Sequence, residues 1–171
     1  MEHPRRTLGM AIGAVMASGL GLGLSPIASG TVGTLWGVLL VVLVWPIMPH
    51  AGFQAALALI LTLAAIPICE AGERWYRTKD DGRIVADEFL TFPICMIGLP
   101  FHPEMIWVLG MAFLTCRMFD IVKPPPARGL QRLHGGFGIV IDDVIASLYS
   151  LALNHLIFWI SRIMTGQAAS A

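Results

Sequence analysis

The sequence predicts an all-α integral membrane protein, in which residues 1–171 form a single domain: a compact bundle of about five membrane helical segments. Hydrophobic residues make up 56% of the chain, and its mean hydropathy is +0.75. Charged residues make up 13%, whereas an average soluble domain has about 25%. Most charges lie in short stretches between long apolar runs, so the runs themselves are suited to lipid.

The first apolar segment, residues 8–24, contains closely spaced glycines, which weaken an α-helix. We therefore expect it to re-enter the membrane or to lie on its surface, with a full crossing as the alternative. The basic residues before it, Arg5 and Arg6, give it a resemblance to a signal peptide. Since apolar sequence continues beyond any cleavage site, we expect the segment to be retained.

Five further apolar segments follow, and we expect four or five full spans in all. A helix of 19 residues is roughly 28 Å long, which is about the thickness of the hydrocarbon layer. The segment at residues 84–101 differs from the others because it carries Asp87 and Glu88 near its start and Pro93 in its middle. The segments are residues 32–48, 51–69, 84–101, 105–119 and 139–160.

The basic residues predict the orientation of the bundle. They gather around Arg5 and Arg6, within residues 74–83 and within residues 123–132. Cytoplasmic connections carry an excess of lysine and arginine, so these three groups are predicted to face the cytoplasm. The remaining connections carry neither residue: 50–52 and 102–104.

This orientation brings the acids to one face of the membrane. A carboxylate at the centre of a membrane helix costs roughly 2.5–3.5 kcal/mol on insertion scales, so such residues usually serve a site. Here they stand at the predicted cytoplasmic ends of three segments, which places them in one layer. They are Asp87, Glu88, Asp120, Asp142 and Asp143, with Asp80 beside them.

A layer of carboxylates needs a compensating cation or protons, because two carboxylates about 4 Å apart repel by roughly 4 kcal/mol at an effective dielectric constant of 20. Oxygen ligands in a phosphate-facing site favour Mg²⁺. Adjacent helical residues point about 100° apart, so each acidic doublet is expected to divide into a metal ligand and a helper. Arg117 shares a helix face with Asp120, and Lys123 could reach the same layer to contact phosphate.

Two loops precede predicted helices and carry groups of the kind that can bind an anion at a helix N-terminus. The first contains the hydroxyls of Ser25, Thr31 and Thr34, and the second places His134 before a glycine-rich stretch. Taken alone, each loop is better explained as a plain turn. The three cysteines, Cys69, Cys95 and Cys116, have no metal-site spacing and are predicted to be buried as small apolar residues.

The charge balance excludes some functions and leaves others open. Eleven basic and eleven acidic residues give a formal net charge of zero, so nothing indicates nucleic-acid binding. An acidic site in a membrane bundle is compatible with a lipid-headgroup enzyme. The alternative is a small ion or proton carrier, which would need acids near the middle of the membrane.

Four motifs, in order, resemble the phosphatidylglycerophosphatase A family. They are Gly23-Leu24-Ser25-Pro26 with Gly30-Thr31-Val32-Gly33-Thr34, then Ile84-Val85-Ala86-Asp87-Glu88-Phe89, then Arg117-Met118-Phe119-Asp120-Ile121-Val122-Lys123-Pro124, then Gly135-Gly136-Phe137-Gly138-Ile139-Val140-Ile141-Asp142-Asp143. The sequence departs from the family's pattern at Pro125, where the family often has tryptophan.

The resemblance implies a Mg²⁺-dependent phosphatase of the bacterial inner membrane, with its active site facing the cytoplasm and a phospholipid, phosphatidylglycerophosphate, as substrate. It implies that the five acids are catalytic and, together with Asp80, hold the metal. Substrate contacts are expected from Arg117, Lys123, Ser25, Thr31, Thr34 and His134. The oligomeric state is left open, and another phospholipid-headgroup enzyme remains an alternative.

Overall fold

The computed structural model describes residues 7–100, 106–130 and 133–165, and within these ranges every regular element is helical, as the sequence predicts. Three short 3₁₀ turns occur at Leu22–Leu24, Trp45–Ile47 and Phe92–Met96. Arg5, Arg6, Arg132 and the predicted turn at 102–104 lie outside the described residues. The α-helices are α1 Leu8–Ala17, α2 Ser29–Val44, α3 Ala51–Tyr76, α4 Ala86–Thr91, α5 Ile106–Val122, α6 Ala127–Leu130 and α7 Gly135–Met164.

Three helical stretches are long and apolar enough to cross a membrane. They are α2 with the turn after it, Ser29–Ile47, then α3 with 26 residues and α7 with 30 residues. At 1.5 Å per residue, α3 and α7 are roughly 39 and 45 Å long and exceed the hydrocarbon thickness of about 30 Å. The described chain is therefore all-helical and compatible with an integral membrane protein.

The N-terminal apolar segment does not form one long helix. Helix α1 has 10 residues, so it is roughly 15 Å long, about half the thickness of the hydrocarbon layer. It packs on the C-terminal half of α3, where a Cβ atom built on Gly13 would lie 2.4 Å from the Cβ atom of Ala71. The chain turns after α1 at Gly19 and Gly21, which have positive φ angles.

The predicted span at 84–101 is wrong as a single helix. Helix α4 has six residues and ends at Thr91, and a 3₁₀ turn containing Pro93 continues from it. Proline lacks a backbone N–H group and disrupts a continuing α-helix. All five residues of the turn, Phe92–Met96, are buried, and the segment packs on α2, α3, α5 and α7. Protein thus encloses the irregular backbone, one of the settings in which membrane proteins tolerate it.

Side chains from other helices bind the broken segment at its far end. The indole Nε1 of Trp45 donates a hydrogen bond to the carbonyl oxygen of Met96 at 3.2 Å, and Asn154 Nδ2 donates to the carbonyl oxygen of Cys95 at 3.1 Å. Asn154 thus satisfies a carbonyl group of the broken helix, and Trp45 adds a second donor to the Met96 carbonyl, which also accepts from the backbone N–H of Leu99. The segment is therefore anchored to the turn after α2 and to α7.

The opposite end of the bundle, called here the cavity end, is formed by the chain around the start of the same segment. The backbone N–H of Val85 donates to the carbonyl oxygen of Ala17 at 2.8 Å, and the hydroxyl of Ser29 donates to the carbonyl oxygen of Gly82 at 2.7 Å. These bonds join the end of α1 and the start of α2 to the loop before α4.

Two buried apolar clusters fill the bundle between its ends. The three cysteines are free and buried, as predicted, and they belong to these clusters. One cluster contains Ala17, Ala65, Cys69, Ile84, Ala86, Leu90, Ile139 and Val140. The other contains Val41, Trp45, Phe92, Cys95, Met96, Leu99, Val108, Leu109, Ala112 and Cys116.

Glycines allow the helices to approach closely near the cavity end. On α2, a Cβ atom on Gly33 would lie 2.5 Å from the Cβ atom of Val85, and one on Gly37 would lie 2.6 Å from that of Phe92. On α7, a Cβ atom on Gly136 would lie 1.9 Å from the carbonyl oxygen of Ile66 in α3. Small residues at helix contacts are the usual means of close packing in membranes.

The Gly136→Ala change is expected to lower the free energy of unfolding by about 1–3 kcal/mol, because the added methyl group would force α7 away from the α3 backbone. The matched control is Gly110→Ala in α5, where a Cβ atom meets nothing within 4 Å. That control should be neutral or slightly stabilising, since alanine favours helix over glycine. Thermal unfolding of both purified variants would measure the difference, and equal transition temperatures would contradict the packing argument.

Candidate active site

A cavity of about 300 Å³ lies at the cavity end, between the start of α2, the loop before α4, the end of α5 and the first turns of α7. All six acids that the sequence singles out contribute to its wall, although they come from separate parts of the chain. Lys123 also lines it. The lining residues are Ser29, Asp80, Gly82, Ile84, Asp87, Glu88, Asp120, Ile121, Lys123, Asp142 and Asp143.

The helices place these acids by their ends. Asp87 and Glu88 occupy the first turn of α4, where the positive end of the helix dipole favours negative charge. Helix α2 approaches Glu88 closely: a Cβ atom built on Gly30 would lie 2.1 Å from Glu88 Oε1. Glycine at position 30 therefore leaves the space that the Glu88 carboxylate occupies.

Glu88 is held by a network of ion pairs and hydrogen bonds. Its Oε2 atom accepts from Arg117 Nη1 at 2.7 Å and from Thr34 Oγ1 at 3.0 Å. The same Arg117 atom contacts Asp120 Oδ2 at 2.9 Å, one helical turn away in α5. The side chains of Arg117, Glu88 and Asp120 are each about 15% exposed. Arg117 thus bridges two cavity acids from behind the wall.

Lys123 and Asp142 form a second pair. Lys123 Nζ lies 2.6 Å from Asp142 Oδ2, and the Asp142 side chain is only 6% exposed. Partial burial lowers the pKa of Lys123, but the hydrogen bond and the negative charge of Asp142 outweigh it, so this pKa lies above its usual value. Lys123 therefore carries a positive charge in the cavity wall at neutral pH.

Asp87 and Asp143 have a different environment from their doublet neighbours. Both are buried, and both line the same cavity as Asp120. Asp87 Oδ1 is buried and has no hydrogen-bond partner among the described residues. A buried carboxylate oxygen without a partner is costly, so this group is suited to binding a proton or a cation.

The donor chemistry fits Mg²⁺. The cavity presents carboxylate oxygens, which are hard ligands, and one of them, Asp87 Oδ1, is buried without a partner among the described residues. In the described parts of the chain, no group of three acid, histidine or cysteine side chains is already arranged around a metal position. Mg²⁺ does not require such a cage, because it keeps several waters and usually takes one or two carboxylates together with substrate phosphate.

Asp80 and Asp81 are adjacent in the loop before α4, but their side chains have different surroundings. Asp80 lines the cavity and has a positive φ angle of 50°. Asp81 points to Arg83 instead, and its Oδ1 atom lies 2.7 Å from Arg83 Nε. The hydrogen bond from Arg83 lowers the pKa of Asp81. The structure therefore assigns Asp80, and not its neighbour, to the cavity wall.

The remaining predicted contacts are not gathered in the cavity wall. Ser25 is partly buried, and its hydroxyl donates to the carbonyl oxygen of Ile27 at 2.9 Å. Thr31 lies in the first turn of α2, and His134 is the exposed residue before α7. Neither is among the cavity-lining residues, and Thr34 contacts the site through hydrogen bonds with Glu88 and Arg117.

Sequence reasoning missed four lining residues. Ser29 lies in the hydroxyl-rich loop, and its position at the start of α2 was the available signal. Gly82, Ile84 and Ile121 have no ionisable group, so the sequence offered no chemical reason to select them.

The location of all six acids at one end of the bundle disagrees with the alternative of an ion or proton carrier, which needs acids near the middle of the bundle.

A family model described as phosphatidylglycerophosphatase A matches residues 15–158, which include every acid of the cavity. The chain is 34% identical over 146 residues to phosphatidylglycerophosphatase A of Escherichia coli, covering 84% of this chain and 81% of the relative. It is 35% identical over 147 residues to phosphatidylglycerophosphatase A of Haemophilus influenzae, covering 85% and 88%.

A further relative, from Bacteroides thetaiotaomicron, is named "Putative phosphatidylinositol-3-phosphatase". It is 32% identical over 149 residues, covering 85% of this chain and 93% of the relative. No solved structure matches the chain. An acidic cavity at one end of an apolar helical bundle, together with these matches, defines the class as a membrane-associated phosphatase. The chain belongs to the phosphatidylglycerophosphatase A family.

Proposed function

We propose that the chain hydrolyses the terminal phosphate monoester of phosphatidylglycerophosphate, giving phosphatidylglycerol and phosphate, in a Mg²⁺-dependent reaction in the acidic cavity. The observation that carries this proposal is the convergence of six acids and Lys123 on one cavity at the end of an apolar bundle. The family match and the two relatives named phosphatidylglycerophosphatase A supply the choice of substrate.

The proposed membrane arrangement has five crossings: α2, α3, the broken segment from α4 to Leu99, α5 and α7. Helix α1 would then lie at the cavity end without crossing fully. In the described chain, the basic residues near the ends of α3 and α5 stand at the cavity end, which supports a cytoplasmic cavity at the bacterial inner membrane. Arg162, near the end of α7, is an exception to this pattern.

The proposed mechanism gives the acids separate roles. Asp87, Asp143 and Asp120 would hold Mg²⁺, with Asp80 at the rim. Mg²⁺ would neutralise phosphate charge and make a bound water more acidic. Arg117 keeps Glu88 and Asp120 in position, as its two ion pairs support.

The reacting phosphate would be held by the second ion pair. Lys123, oriented by Asp142, would bind a phosphate oxygen through a charge-assisted hydrogen bond. An oxygen atom of water, or of a cavity aspartate, forms a bond to phosphorus while the bond between phosphorus and the ester oxygen breaks. The ester oxygen leaves as an alcohol, with a proton from the attacking water in the first route and from a solvent water in the second. In the second route, another water then hydrolyses the acyl phosphate, which releases phosphate and restores the aspartate.

A second candidate substrate is phosphatidylinositol 3-phosphate, which the name of the Bacteroides thetaiotaomicron relative favours. Both lipids present a phosphate monoester on a polar headgroup, so the cavity chemistry described above applies to each. The difference lies in the group that carries the phosphate, a glycerol in one lipid and an inositol ring in the other.

The test is phosphate release by the purified protein from each lipid in mixed micelles, with Mg²⁺, with a chelator, and after Mg²⁺ is added back. We expect faster release from phosphatidylglycerophosphate, loss of release with the chelator, and recovery with the metal. Faster release from phosphatidylinositol 3-phosphate would favour the second candidate. No release from either lipid would contradict the proposed function, and release unaffected by chelation would contradict the metal.

A further inference from the structure

A second, apolar cavity of about 410 Å³ lies between α1, α2, α3 and α4. Its volume falls within the range of about 300–1,000 Å³ that is typical of ligand pockets. Polar side chains contribute only the indole of Trp36, whose Nε1 already donates to the carbonyl oxygen of Gly19 at 2.8 Å. The lining residues are Met16, Gly19, Leu20, Trp36, Leu39, Leu40, Leu43, Val44, Ile68, Phe89 and Leu90.

The apolar cavity, called the groove below, adjoins the acidic cavity because residues of α2 and α4 line both. In α4, Asp87 and Glu88 line the acidic cavity, whereas the next two residues, Phe89 and Leu90, line the groove. In α2, Ser29 lines the acidic cavity, and the groove begins at Trp36, roughly 10 Å further along the helix axis. The two cavities are therefore successive along α2.

The groove is elongated and open on the outer side of the bundle. It follows α2 from Trp36 to Val44, which is roughly 12 Å along the axis. Leu39 and Leu43 at its edge are 41% and 64% exposed, whereas Leu90 at its inner wall is 7% exposed. An occupant would enter sideways from surrounding lipid and lie along α2.

We propose that this groove holds one acyl chain of the lipid whose phosphate enters the acidic cavity, an inference that rests on the proposed function. A phospholipid presents a charged headgroup with apolar chains directly below it, and the acidic cavity and the groove follow the same order along α2. The surrounding lipid tails are as apolar as the groove, so moving the acyl chain from lipid into the groove gains little hydrophobic free energy. Its effect is on position, because a fixed chain holds the phosphate at a set distance from the acids.

The first test fills the groove. Leu40→Trp and Leu43→Trp place an indole inside it, and Leu35→Trp is the control, because Leu35 is on the same helix, is 50% exposed and does not line the groove. On long-chain lipid, we expect the groove variants to lose at least about tenfold in kcat/KM. On the deacylated, water-soluble headgroup, they should match the wild type. Losses equal to that of Leu35→Trp would overturn the inference.

The second test needs no variant. In the wild-type protein, a substrate lipid with a photoreactive acyl chain should label two regions: residues 36–44, and Phe89 with Leu90. Substrate without the photoreactive group should compete with this labelling. Phosphatidylcholine with the same photoreactive chain should not label them. Equal labelling by both lipids would show bulk lipid in the groove and overturn the inference. A wild-type protein that releases no phosphate from the lipid would instead refute the proposed function.

Discussion

Asp143→Asn is expected to lower kcat by roughly 10³-fold while leaving the fold intact. Asp143 is buried in the wall of the same cavity as Asp87 and Asp120, so an amide there removes one of the three negative charges proposed to hold Mg²⁺. Asparagine has nearly the same shape, and it relieves repulsion among the carboxylates, so stability should stay the same or rise. Phosphate release and thermal unfolding, measured on one preparation, separate the two effects.

The matched control for Asp143→Asn is Asp81→Asn. Asp81 is also an acid beside the site, but it pairs with Arg83 and does not line the cavity. We expect the control to retain activity within about twofold, because Asp81 does not line the cavity, and a substitution outside a functional site usually has a small effect. A Mg²⁺ titration adds a further readout, since only the Asp143 variant should need more metal for half-maximal activity. Full activity of the Asp143 variant would remove this residue from the proposed site.

Arg117→Met is expected to lower the free energy of unfolding by about 3–5 kcal/mol, the typical cost of removing one partner of a buried ion pair. The guanidinium group contacts both Glu88 and Asp120, and its removal leaves two largely buried carboxylates without their shared cation. Activity should also fall, because Glu88 and Asp120 lose the group that positions them. Denaturant unfolding in detergent would measure the change.

Two further variants test the cause of that loss. Arg74→Met removes an arginine whose pair with Glu70 is largely exposed, and it should change stability by at most about 1 kcal/mol. Adding Glu88→Gln to Arg117→Met removes one uncompensated charge, so the double variant should regain part of the lost stability. If the double variant is as unstable as Arg117→Met, the loss comes from packing and not from the buried charge.

The acidic layer could be predicted because its signals are local. The doublets stand at the ends of apolar runs, and the distribution of basic residues assigns those ends to one face. The i,i+3 spacing of Arg117 and Asp120 likewise fixes a shared helix face, and the structure has an ion pair there. Helix geometry also separates the members of each doublet, and in the structure Glu88 and Asp142 have cationic partners that Asp87 and Asp143 lack among the described contacts.

The partners themselves could not be predicted, since they depend on contacts between distant segments. Glu88 of α4 meets Thr34 of α2 and Arg117 of α5, and no spacing in the sequence encodes these approaches between helices. The break after Thr91 was also missed, although Pro93 signalled it, because the apolar composition of 84–101 favoured one continuous helix. Tertiary packing decided the outcome, since the turn is enclosed by four other helices.

The enclosed segment has a consequence for how the protein gains and loses activity. Its short helix carries Asp87 and Glu88, and the segment packs on α2, α3, α5 and α7. We therefore expect the acidic cavity to form only when these helices have assembled around the segment. Loss of activity on unfolding should then coincide with loss of the helical bundle.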